Sequence, residues 1–118
     1  PETVDRIFNV ALKRRDTRLK TVYAYYIINQ RGKFPEGLAL FESVVERRPE
    51  EPQHWKNLIN LLMVMARFDE AEQRLEQFRE LRPYGSSEAD FRILQDDIDT
   101  GRIEFSQSYN AVAESNRP

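Results

Sequence analysis

His54 is the one histidine in this chain, and there is no cysteine. A thiolate nucleophile, a disulfide framework and a thiolate metal site are therefore excluded. His54 has no second histidine and no carboxylate pair at metal-ligand spacing. It stands beside Trp55 at a predicted helix start, which suits a polar surface histidine. Asp96, Asp97 and Asp99 precede Gly101 and hint at a calcium loop. The glycine is misplaced for an EF-hand, and Ser108 stands where the bidentate glutamate is needed, so solvent-facing helical carboxylates are expected. No glycine-rich phosphate loop and no nucleophile–base pair appear. The expectation is a segment with no catalysis, no cofactor and no metal. What remains are side chains that bind rather than react. Tyr23, Tyr26 and Gln30 form one group, and Lys56, Asn57, Asn60 and Val64 form a second. Aromatic rings supply contact area at low entropic cost, and amides supply orientation.

A second candidate surface is the basic edge Lys13, Arg14, Arg15 and Arg18, continued by Lys20. The net charge of −2 hides its asymmetry: residues 1–33 hold eight Lys/Arg against three Asp/Glu, and residues 34–118 hold ten against seventeen. Such an edge suits an acidic partner or an acidic neighbouring repeat. It does not suit nucleic acid, because the cluster is short and the remaining chain would repel phosphate. A per-repeat base-reading pattern is also missing. No apolar run approaches the roughly 20 residues that span a bilayer.

The elements that must position these groups are helical. Trp55, Leu58, Ile59, Leu62 and Met65 recur three or four apart, as do Phe68, Ala71, Leu75, Phe78 and Leu81. Shifted back by 34 residues, Phe68, Ala71, Leu75, Phe78 and Pro83 fall on Phe34, Gly37, Phe41, Val44 and Pro49. Ile7, Val10 and Ala11 lie 34 before Phe41, Val44 and Val45, so a helix over Glu2–Arg14 is expected to be the second of a preceding repeat. Asp16 or Thr17 is the expected cap of the next helix, which runs to about Gln30 with Val22, Ala24, Tyr25 and Ile28 available to the core. Gly32 suits a left-handed turn. Beyond Pro83 the period weakens. Helices are expected over 88–99 and 102–114 with a turn at Thr100–Gly101, and Ala89 standing at the Trp55 column implies a shift of one residue.

A helix–turn–helix unit with a 34-residue period resembles the tetratricopeptide repeat family. Trp55, the small residues Gly37 and Ala71, the apolar Phe41 and Leu75, and the closing Pro49 and Pro83 carry the resemblance. Tyr25 and Ile59 depart from it, standing where a small residue is usual. The resemblance implies an all-α solenoid of antiparallel helix pairs in a right-handed superhelix, about seven helices in all. The expected division is a truncated repeat over 1–15, repeats over 16–51 and 52–85, and a degenerate repeat over 86–118. Pro1 begins inside a repeat, so Ile7, Phe8, Val10 and Leu12 are expected to offer an apolar end face for stacking.

By the same resemblance the function is a non-catalytic protein-interaction scaffold. The partners are a protein and the adjacent repeats of the same parent chain, with no nucleic acid. First helices line the concave face, where Tyr23, Tyr26, Gln30, Lys56, Asn57, Asn60 and Val64 are expected. A carboxylate clamp is not expected, because Ser87 and Phe91 stand where further basic residues are wanted. The cysteine-free, acidic texture also resembles periplasmic scaffold regions of bacterial outer-membrane exopolysaccharide exporters of the Pel type. That implies a periplasmic, outer-membrane-anchored parent in biofilm polysaccharide secretion. Its partner would be a polysaccharide-modifying enzyme, with possible contact to the polymer itself. The alternatives are a cytoplasmic adaptor and a purely architectural spacer.

Overall fold

The computed structural model describes residue 6 and residues 17–115, with side chains to residue 113. Five α-helices follow one another among the described residues: α1 (Thr17–Arg31), α2 (Phe34–Arg47), α3 (Pro52–Val64), α4 (Phe68–Leu81) and α5 (Glu88–Ser115). Apart from Arg6, the predicted helix Glu2–Arg14 lies outside the described residues, as do the cap Asp16 and the end face of Ile7, Phe8, Val10 and Leu12.

Local chemistry sets the boundaries. Pro35 and Pro52 sit in the first turns of α2 and α3, where a missing N–H costs nothing. Gly32 turns the chain out of α1 at φ +64°, a left-handed conformation that glycine adopts without a Cβ penalty. Arg82 ends α4 in the same region, and its N–H donates to the Phe78 carbonyl at 2.9 Å. Asp69 and Glu70 occupy the first turn of α4, where the helix dipole favours negative charge. Ser87 and Asp90 cap α5 reciprocally: the Ser87 N–H donates to Asp90 Oδ2 at 3.0 Å, and the Asp90 N–H donates to Ser87 Oγ at 3.2 Å.

Each helix packs on its chain neighbours, and α3 also touches α5. The stack is a slab of 54 × 38 × 16 Å. Trp55, Leu58, Leu62, Ala71, Leu75 and Phe78 are all buried, as their periodicity predicts. Trp55 stacks on Phe78 at 5.9 Å, and the edge of Phe78 meets Phe91 at 4.9 Å, so one aromatic ladder joins α3, α4 and α5. The Trp55 indole N–H donates to the Pro49 carbonyl at 2.8 Å, which ties the connection before α3 to the ladder.

The last unit differs from expectation in two ways. Its core residues Phe91, Leu94 and Ile98 stand 36, not 34, after Trp55, Leu58 and Leu62. The offset is thus two residues rather than one. The connection explains it: four residues (48–51) join α2 to α3, and six (82–87) join α4 to α5. The predicted turn at Thr100–Gly101 is absent, and α5 is one helix of 28 residues. Gly101 is there for proximity instead: a Cβ on it would lie 2.7 Å from Phe68 Cε1. The groove between α4 and the first half of α5 is polar, lined by Asp69, Glu72, Gln73, Glu76, Arg79 and Gln95. An apolar second helix gains little there.

Candidate functional site

α1 and α3 are first helices of adjoining units, and a groove runs between them. One end is a cavity of about 450 Å³. Its floor is apolar, from Ile28, Phe34, Phe41, Leu61 and Val64, and its polar groups are Tyr25, Asn29, Asn57 and Asn60. The other end is a cavity of about 460 Å³ between Arg18, Thr21 and Val22 of α1 and Gln53, His54 and Asn57 of α3, with Arg48 and Glu51 at its edge.

Asn57 lines both cavities and is the one buried polar residue among the described residues. Its Oδ1 accepts from the Tyr25 hydroxyl at 2.8 Å and from Gln53 Nε2 at 2.9 Å. Two donors on one oxygen orient the amide and leave both Nδ2 protons for a ligand. Tyr25 reaches Asn57 because its ring rests edge-on against Phe41, with centroids 5.2 Å apart. Burial holds the Tyr25 hydroxyl above its ordinary pKa, so it stays a donor. His54 is held below its ordinary pKa, chiefly by burial; Glu51 and Glu50 oppose the shift and Arg48 adds to it. The His54 Nδ1 is buried without a hydrogen-bond partner.

Of the residues singled out in the sequence, Asn57, Asn60 and Val64 meet in the first cavity. Lys56 lies one groove along, between α3 and α5, where its Nζ is 3.1 Å from Asp90 Oδ1. That lysine is the main cause holding the Asp90 carboxyl below the usual range. Tyr23, Tyr26 and Gln30 line neither cavity between α1 and α3. The two tyrosines stack on each other at 6.4 Å, and the Arg31 guanidinium lies 5.3 Å from the Tyr26 ring centre. Tyr25, assigned to the core by its column, is 43% exposed and takes their place in the groove, while Ile27 is buried instead. Val22, expected in the core, is exposed at the second cavity. Arg18 of the basic edge borders the second cavity; Lys13, Arg14 and Arg15 lie outside the described residues. Asn29, Phe34 and Gln53 were not anticipated. The one signal for Asn29 and Gln53 is their step of four from Tyr25 and Asn57 on the helix surface, and Phe34 stood out only for its repeat column.

Asp96, Asp97 and Asp99 lie on the continuous backbone of α5, and Asp99 accepts from Gln95 at 3.0 Å. That is helix surface and not a calcium loop. No helix among the described residues is long and apolar enough to cross a membrane. Neither the curated proteins nor the solved structures gave a match to the chain. Residues 29–83, from the end of α1 through α4, match the tetratricopeptide repeat family, whose repeats generally mediate protein–protein interaction and whose domains are typically non-catalytic scaffolds.

Proposed function

We propose that this chain is a protein-docking scaffold and that its docking site is the groove between α1 and α3. The observation that carries the reading is Asn57, oriented by Tyr25 and Gln53 over an apolar floor, with its amide donors uncommitted. An extended peptide fits that chemistry: its carbonyls take the amide protons of Asn57 and Asn60, and one large apolar side chain fills the cavity over Phe41 and Leu61. Selection of a displayed peptide library on the chain tests this. Wild type enriches a motif with an apolar anchor. Asn57→Ala/Val64→Glu, with helical circular dichroism intact, enriches none. Equal enrichment by that variant places the contact elsewhere, and no enrichment by wild type favours the spacer reading.

The finer proposal places the scaffold in the periplasm as part of an exopolysaccharide exporter, with a polysaccharide-modifying enzyme as the docked protein. Its support is the cysteine-free composition and the acidic balance of residues 34–118. Cross-linking in intact cells, with Asn60 replaced by a photoreactive residue, tests it. Capture of a cytoplasmic protein overturns that placement and leaves the groove assignment standing.

A further inference from the structure

Two asparagines of α3 join three cavities. Asn57 lines both ends of the groove between α1 and α3. Asn60 lines the Tyr25 end of that groove and also a third cavity, of about 240 Å³, between α3 and α5. A path therefore runs along the groove and then over α3 at Asn60, which is exposed. Charge changes in order along it. At the first cavity Arg48 and Glu51 stand at the edge and offset each other, and Arg48 also pairs with Glu50 at 3.4 Å. Burial keeps His54 neutral near pH 7. Arg18 is left as the charge of the wall; it is exposed and makes no ion pair among the described residues. The first turn of α3 lies at the same cavity, through Gln53 and His54, and the positive end of a helix dipole adds to the field there.

No charged residue among those described lines the middle cavity, whose floor includes Phe41 and Leu61. At the third, Lys56 and Asp90 hold each other at 3.1 Å, and Asp90 also accepts from the Ser87 N–H. That leaves Asp97, exposed and without an ion pair among the described residues, beside the exposed Ile93. A cation, an uncharged apolar well and an anion thus follow one another. The scale suits an extended chain. His54 and Leu61 are seven residues apart on α3, a rise of about 10 Å, and packed helices stand ~8–10 Å apart. Each outer charge is then about three extended residues from the well.

We infer that the docked peptide is bipolar: an acidic side chain reaches Arg18, a large apolar side chain fills the middle cavity, and a lysine or arginine on the other side of that anchor reaches Asp97. This rests on the groove reading above and names the class of its ligand. The two outer cavities carry opposite open charges, so a peptide with like charge on both flanks is repelled at one of them.

A displayed library tests this, each peptide having a central Leu or Phe and Asp, Lys or Ser at the three positions on either side, within neutral flanks. Wild type should enrich peptides with an acid on one side and a base on the other. Arg18→Glu should instead enrich bases on both sides, and Asp97→Lys acids on both, whichever way the peptide runs in the groove. Each preference should be about two- to fivefold, the scale of an exposed ion pair, and should shrink at high salt. Arg18 and Asp97 are exposed, so both variants should fold, and circular dichroism checks that they do. Enrichment of the central apolar residue with no charge preference, or one unchanged preference in all three proteins, overturns this inference and leaves the groove standing. No enrichment by wild type, or enrichment that survives Asn57→Ala/Val64→Glu, overturns both.

Discussion

Asn57 Oδ1 accepts two hydrogen bonds, and only the one from Tyr25 crosses between helix pairs. Tyr25→Phe removes that donor and leaves Gln53 on the oxygen, so no acceptor is orphaned. The expected loss is about 0.5–1.5 kcal/mol, the usual net value of such a bond, read from urea melts. A change within error would mean that the two pairs are not joined there. His54 gives a pH signature. Burial lowers its folded pKa, so below 6.5 the unfolded chain binds a proton that the folded chain resists. Stability should be full above pH 6.5 and fall as pH drops from there towards the lowered folded value. His54→Gln should flatten that slope, and melts at a series of pH values compare the two. The groove was half legible for a local reason. Asn57, Asn60 and Val64 lie on α3, where the three-and-four spacing of Trp55, Leu58 and Leu62 fixes the buried face. Residues 22–28 of α1 read Val-Tyr-Ala-Tyr-Tyr-Ile-Ile, apolar or aromatic at every step, so no phase picks the inward face. Tyr25 and the pair Tyr23/Tyr26 differ only in direction, and a hydroxyl that finds Asn57 decides it.

Glycines show how far pattern reaches at the level of an element. Gly37 was legible as the small residue of a helix–helix contact. It lies inside α2 against Ile28, and an added Cβ would overlap Ile28 Cγ1 and Cδ1. Gly37→Ala gains up to about 1 kcal/mol of helix propensity. Overpacking costs about 1–3 kcal/mol, so a net loss of about 1–2 kcal/mol is expected in denaturant melts. A gain in stability would show that Ile28 moves aside freely. Gly101 has the same physical role against Phe68 and was read as a turn, because a glycine needed for closeness and one needed for conformation look alike in sequence. What separates them is tertiary. Arg102 donates to the Phe68 carbonyl at 3.3 Å and pairs with Glu72 at 2.7 Å, which clamps the helix just where a turn was expected. The boundaries of α2, α3 and α4 were legible to a residue or so because proline, glycine and a strict period mark them together.

At the scale of the whole molecule, stability is a matter of neighbours, since each unit buries its apolar face only against the next. The period revealed the stack, and it also hid the two-residue offset of α5, because a longer connection changes numbering without changing which residues face inward. Phe91, Leu94 and Ile98 keep the three-and-four spacing of Trp55, Leu58 and Leu62 and reach the same ladder. Phe78 is the rung that joins both units, stacked on Trp55 and meeting Phe91. Phe78→Ala should cost about 3–5 kcal/mol, as large aromatic truncations in a core do. The cost should be unevenly felt. α5 is held by α4 and a small contact with α3, whereas α2 keeps its packing with α1 and α3. Hydrogen exchange should therefore show protection of residues 91–98 falling well before that of residues 38–45, with the urea transition broadened as α5 releases first. An even loss of protection along the chain, with an unchanged transition slope, would mean that the helices unfold as one unit and that Phe78 is an ordinary core residue rather than the coupling between repeats.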